Sequence, residues 1–209
     1  IETGARKWHY QMIHHGIWDR DVSCAGVICD IPHDGKIVKA IAQPTKQGFV
    51  YVLDRTNGKP LWPIPEKKVA KGNVPGEWYS PTQPFPSKPP PFEHQGFTTE
   101  DVIDWTPEIK ARAQAMVAHY HLGPLYTPPT LVTDTSWGTL VTPENQGGAN
   151  WGTTAADPKR GMVFVVGVNQ VALLKLENVK TREGAAGGNP AGAIAGDTLQ
   201  RGQDVFYQN

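Results

Sequence analysis

Residues 48–62 read GFVYVLDRTNGKPLW. The first half, 48–54, is rich in β-branched and aromatic residues and reads as a buried strand. Thr56, Asn57 and Gly58 then turn the chain toward Pro60, Leu61 and Trp62, giving an Asp-x-x-x-Gly-x-x-x-Trp turn (Asp54, Gly58, Trp62). Just upstream, residues 37–42 (IVKAIA) form a second apolar run. Asp34-Gly35 is a hairpin signal between that run and the short apolar segment 24–31. Residues 5–12 alternate Trp8, Tyr10 and Met12 as another strand would. Three or four short strands with tight connections make an antiparallel meander, so the fold class expected is all-β.

From 63 to 98 the chain is rich in Pro, but it also carries Trp78, Tyr79, Phe85, Phe92 and Phe97. So many large apolar groups predict an ordered excursion packed on a rigid surface rather than a solvated tether. Thr106-Pro107 opens a helix expected over 107–121, with Thr as N-cap and Pro at N1. Ile109, Ala113, Met116 and Tyr120 share one face of it, and Gly123-Pro124 is expected to stop it. This helical insertion, about 99–121, should lie on the β scaffold. Strands are expected again at 130–133, 138–142, 150–156, 162–168 and 171–177. Asp157 and Gly161 repeat the Asp54-to-Gly58 spacing without the Trp, which in this strand rhythm points to propeller blades. Residues 183–198 (EGAAGGNPAGAIAGDT) are Gly/Ala-rich and read as an interdomain linker.

Composition excludes several classes. Twenty Lys and Arg balance twenty Asp and Glu among 209 residues, so no basic field calls for nucleic acid. With 22 Gly, 19 Pro and seven Trp, the chain suits turns and sheets better than a helical bundle. No apolar run reaches the roughly 18 residues a bilayer span needs. The start, IETGARKWHYQM, has neither an initiator Met nor a signal pattern, as expected of a mature form or an internal fragment. Cys24 and Cys29 are read as buried free thiols.

Three places could carry chemistry. Asp19 follows Trp18 in HHGIWDRD; it is either a turn aspartate or a general base held against an aromatic wall. Lys46, in QPTKQG, is delivered to the mouth of strand 48–54, and Gly48 beside it permits close approach to the backbone. The third is NQGGANWG at 145–152, where Asn150 offers a donor and an acceptor and Trp151 a face or a wall. His119 and His121, two apart on the helix, point away from each other and are a poor metal pair, while His14 or His15 could orient Asp19. Zinc-ligand spacing and a Gly-x-Ser-x-Gly elbow are both absent from the sequence.

The segments HHGIWDRD, AQPTKQGFVYVLDRTNGKPLW, VPGEWYSPTQPFPSKPPPF, LGPLYTPPT and GGANWGTTAADP together resemble the C-terminal part of the pyrroloquinoline quinone-dependent dehydrogenases, nearest the quinoprotein glucose dehydrogenase-like group. The resemblance implies part of an eight-bladed quinoprotein β-propeller over residues 1–180, the Asp54–Trp62 turn being similar to the family's tryptophan-docking motif. Asp19 then matches the catalytic base and lies beside the family's calcium ion. Lys46 matches the lysine that hydrogen-bonds the quinone oxygens, and Asn150 and Trp151 match the segment lining the cofactor. The quinone-stacking residue and main calcium ligands are implied upstream. Gly16 stands where many relatives have Asp after the His pair. Residues 199–209, ending RGQDVFYQN, resemble the start of a c-type cytochrome domain cut short before its haem attachment site, so haem c is implied for a full-length parent and not for this chain.

The activity implied is that of a periplasmic dehydrogenase. It would oxidise a sugar (a glucose-type aldose) or an alcohol hydroxyl by hydride transfer to pyrroloquinoline quinone and pass electrons to a cytochrome c or a quinone. The alternative is a non-catalytic propeller that binds partners through its top face, and such a module has no use for the Asp19 and Lys46 pair.

Overall fold

The computed structural model describes residues 3–152 and 154–177. Its centre is an antiparallel sheet of β1 (Val27–His33), β2 (Lys36–Pro44) and β3 (Val50–Asp54), in that order. Asp34 and Gly35 both take positive φ, 49° and 71°, and form the two-residue hairpin turn whose twist suits the flanking strands, with His33 opposite Lys36. Alternation along β3 separates two cores. Phe49 and Tyr51 face one, with Trp18, Leu125, Tyr126 and Val141. Val50 and Val52 face the other, with Cys29, Ala40 and Ala42. A strand covered on both sides reads as an unbroken apolar run, which is why VYVL shows no polar alternation.

After β3 the Asp54 carboxylate accepts from the Thr56 amide at 2.8 Å, and the Gly58 amide donates to the Asp54 carbonyl at 2.7 Å. Gly58 holds φ at 76°, and the chain returns so that Leu61 N–H meets Val52 O at 3.0 Å. The turn between β7 (Thr154–Asp157) and β8 (Met162–Val165) repeats the device: Asp157 Oδ1 accepts from the Lys159 amide at 3.0 Å and Gly161 has φ 63°. Trp62 packs on the second core, its ring edge-on to His33 at 5.4 Å.

Residues 5–12 form no strand. At the end of the segment side chains take the place of a neighbouring strand: Met12 O accepts from Tyr51 Oη at 3.1 Å and Gln47 Nε2 at 3.3 Å. Tyr10 and Met12 pack on the first core, and Trp8 lies on the Asp54–Gly58 turn.

The Pro-rich excursion is ordered. Its β4 (Glu66–Lys68) pairs with β5 (Thr82–Pro84), and Phe85 and Phe92 reach the first and second cores. The helix α1 spans Pro107–Val117, capped by Thr106, whose hydroxyl accepts from Ile109 N–H at 3.3 Å. It ends short of 121 because His121 N–H is drawn to Gly138 O at 2.8 Å and His119 stacks on Trp137 at 4.2 Å. The face expected to pack does not: α1 buries none of its residues and Met116 is 69% exposed. Polar ties hold the helix instead, Lys110 to Glu100 at 2.7 Å and Gln114 to Thr99 O at 3.2 Å.

β6 (Thr139–Val141) pairs with β9 (Ala172–Leu174), and β7 with β8, all antiparallel. In place of the strand expected at 130–133 there is an isolated bridge, Leu131 to Leu176. The described residues are thus strands and ordered loops with one helix. The linker and cytochrome-like end expected over 181–209 lie outside the described residues.

Candidate active site

Lys46 sits in the 45–49 connection between β2 and β3. That connection is closed by Thr45 N–H to Phe49 O at 2.9 Å and Gly48 N–H to Thr45 O at 3.0 Å, with Gly48 at φ 83°. Lys46 is only 6% exposed, and a buried ammonium requires partners. It has two: Asp21 Oδ1 at 2.5 Å and Asp19 Oδ1 at 3.3 Å. Asp19 holds φ at 55°, a left-handed conformation that sharply bends the chain between Trp18 and Arg20. Trp18 is the anchor of that bend, since its indole is buried, donates to Thr127 O at 2.6 Å and tilts on Tyr126. The aromatic preceding Asp19 thus belongs to the core.

The two carboxylates are not equivalent. Burial raises the Asp19 pKa, the Lys46 charge opposes that rise, and a hydrogen bond with Asp21 adds to it; the net shift is upward. At Asp21 burial also pushes up, but hydrogen bonds from Lys46 and Asp19 outweigh it and hold the group below its usual range. Two acids that share one cation are thus held at different proton affinities by their surroundings.

The loop expected to line the site reaches it through its glycines. Gly148 N–H donates to Lys46 O at 2.8 Å, and a Cβ on Gly147 would fall inside the Lys46 stem. Asn150 spends its amide on its own loop, donating to Gln146 O at 3.0 Å and accepting from Trp151 N–H at 2.9 Å. Trp151 stands 87% exposed. Gly48 does give close approach, but to Glu93 and Pro143 rather than to open space. His14 pairs with Glu66 at 2.9 Å, and His15 with Glu77 at 2.8 Å, so the recorded polar contacts of both rings go to the excursion rather than to Asp19.

Sequence reasoning passed over Asp21 and Arg20, and it read the glycines of the 145–152 segment as room for a flat ligand, whereas Gly147 makes room for the Lys46 stem. The Asp-x-Asp spacing was the available signal for Asp21, because residues two apart across a sharp bend can return to one side. Nothing in one sequence marks Arg20.

The chain matches the family model described as "PQQ: Glucose/ethanol/alcohol dehydrogenase, beta-propeller domain" over residues 1–207. It belongs to that family of pyrroloquinoline quinone-dependent dehydrogenases. Among curated relatives it is 36% identical over 173 residues to the quinoprotein glucose dehydrogenase of Gluconobacter oxydans, covering 78% of this chain and 20% of that protein. It is 33% identical over 168 residues to the glycerol dehydrogenase large subunit of the same organism, with 78% and 22% covered. The probable quinate dehydrogenase (quinone) of Xanthomonas campestris pv. juglandis is 34% identical over 191 residues, with 90% and 24% covered. The chain therefore spans about a fifth to a quarter of the length of these relatives. Among solved structures, the quinohemoprotein alcohol dehydrogenase of Comamonas testosteroni aligns at 24% identity and a TM-score of 0.41, over 78% of this chain and 18% of that one.

The residues present fit one side of a quinone site. A buried ammonium is a donor matched to quinone oxygens, and the Asp19 carboxylate beside it remains 29% exposed. They do not make a calcium site: among the described residues no three His, Cys, Asp or Glu side chains converge to hold a metal, and the Lys46 ammonium already pairs with both carboxylates.

Proposed function

We propose that this chain is part of an eight-bladed quinoprotein propeller that oxidises a sugar or alcohol hydroxyl. Asp19 takes the hydroxyl proton as the hydrogen on the same carbon leaves as hydride, so the substrate becomes a carbonyl and the Asp19 carboxylate an acid. Pyrroloquinoline quinone, when bound, supplies the two-electron acceptor for that hydride. Lys46 donates to the quinone oxygens and offsets the negative charge that develops there. Asn150 and Trp151 line the same pocket. Of a calcium site this segment would contribute Asp19 alone. The electrons would leave to a cytochrome c or a quinone, in a periplasmic setting.

The observation that carries this reading is the buried Lys46 with Asp19 at 3.3 Å, at a strand end, in a chain of this family. A binding propeller gains nothing from a buried cation shared by two acids. The test is Asp19→Asn in the complete enzyme reconstituted with quinone and calcium. Dye-linked turnover should fall by ~100-fold or more while the quinone still binds. Unchanged turnover would remove Asp19 from the role of base.

A further inference from the structure

Arg20 lies between the two carboxylates in sequence, yet its side chain goes elsewhere. The bend at Asp19, φ 55°, separates it from Asp19 and Asp21, which turn to the Lys46 ammonium. The Arg20 side chain runs inward and is 1% exposed. A buried guanidinium ordinarily meets a carboxylate. None lies in salt-bridge range of Arg20 among the described residues; Nη1 donates instead to Lys46 O at 3.1 Å, and Nη2 to Pro143 O at short range. Burial lowers its pKa to about 10, so it remains a cation at neutral pH.

The carbonyl it holds is that of the very residue whose ammonium meets Asp19. Lys46 O also accepts from Gly148 N–H at 2.8 Å, so both donors the structure gives this oxygen come from loops flanking the site. Pro143 begins the segment that carries Gly147 and Gly148. One planar fork therefore ties the Asp19 bend, the Lys46 turn and the 143–148 segment to one another, and its two arms fix direction as well as distance.

We propose that Arg20 is a positioning residue, which sets where Lys46 presents its ammonium by clamping the Lys46 and Pro143 carbonyls together. The inference rests on the reading of Lys46 as the quinone-binding lysine. It requires that Arg20 act through Lys46 and have no effect of its own once the Lys46 amine is gone.

The experiment is a double-mutant cycle in the complete enzyme, with quinone affinity of the apo-protein as the readout. Arg20→Met keeps length and removes charge and donors. It should weaken quinone binding by ~10–100-fold, the range for residues that orient a ligand group from behind. Lys46→Ala should weaken binding at least as much, and the double variant should be no weaker than Lys46→Ala alone. Multiplying penalties, or an unchanged Arg20→Met, would overturn the clamp while leaving the Lys46 reading intact. If Lys46→Ala binds quinone normally, the site reading itself falls and the clamp with it. Should Arg20→Met fail to fold, Arg20→Lys carries the same comparison. Its single ammonium recovers one carbonyl, so it should bind quinone with intermediate affinity when Lys46 is intact and have no effect when combined with Lys46→Ala. Equal penalties with and without the Lys46 amine would again overturn the clamp.

Discussion

The indole of Trp8 lies directly on Gly58. A Cβ on that glycine would come within 2.7 Å of Trp8 Cε3, and Trp8 Nε1 donates to Arg55 O in the same turn at 2.9 Å. The turn is thereby read from outside by a residue fifty positions earlier in the chain. Gly58→Ala must both strain a φ of 76° and displace the ring, so it should cost about 1–3 kcal/mol. Trp8→Phe, which loses the N–H bond and part of the ring surface over Gly58, should cost about 1–3 kcal/mol. Denaturant midpoints of the complete protein check both, and equal stability of Gly58→Ala and the parent would refute the contact.

Gly147→Ala should be a binding defect more than a folding defect. Gly147 has φ 87°, and its missing Cβ position is filled by the Lys46 stem. The added methyl has to move the lysine or the loop, and either one shifts the ammonium. Quinone affinity is expected to fall by ~10-fold or more with the far-UV spectrum retained. Retained affinity would mean that Lys46 does not need the loop.

Both thiols should be silent in the folded protein. Cys24 and Cys29 are buried and unpaired, burial raises both pKa values, and Cys24 Sγ donates to Pro44 O at 3.2 Å. Since the thiolate is the reactive form, a thiol reagent at mildly alkaline pH should label them only after denaturant is added. Rapid labelling under native conditions would contradict their placement.

The buried tyrosines predict an alkaline limit. Burial raises the pKa of Tyr51 and Tyr126 above the ordinary value of 10.0. Below pH 10 these groups are neutral in both folded and unfolded chains and add no pH dependence. Above it the unfolded chain ionises while the folded one resists, so stability should fall as pH rises. Urea unfolding across that range should show the decline, and Tyr51→Phe should flatten it. At neutral pH the two substitutions should differ. Tyr51→Phe abandons Met12 O and Pro84 O and should cost about 1–3 kcal/mol, whereas Tyr126 Oη has no hydrogen-bond partner among the described residues, so Tyr126→Phe should be close to neutral.

Much of this was legible locally. The hairpin at Asp34-Gly35, the strand at 50–54 and the Asp54–Gly58 turn follow from residues a few positions apart, because turn chemistry and side-chain alternation act over that range. Residues 5–12 misled for the same reason: Trp8, Tyr10 and Met12 alternate like a strand, but their partners are a turn and two side chains supplied from 35 to 50 residues away. Helix α1 was visible from its Thr106 cap, while the absence of packing on its apolar face was not, since periodicity carries no information about what stands opposite.

The sequence by itself determined that the described residues are mostly strand and turn with repeated Asp–Gly turns, that Asp19 and Lys46 are its charged candidates, and that its thiols are buried. Each of these rests on a local propensity or a motif. Only the tertiary structure decided that Asp19 shares Lys46 with Asp21, that Trp18 goes to the core, that the 143–148 segment meets Lys46 through glycines, and that Arg20 turns away from its acidic neighbours to hold a lysine backbone. These are facts about direction. A left-handed φ at one residue redirects every side chain around it, and no residue type announces that in advance.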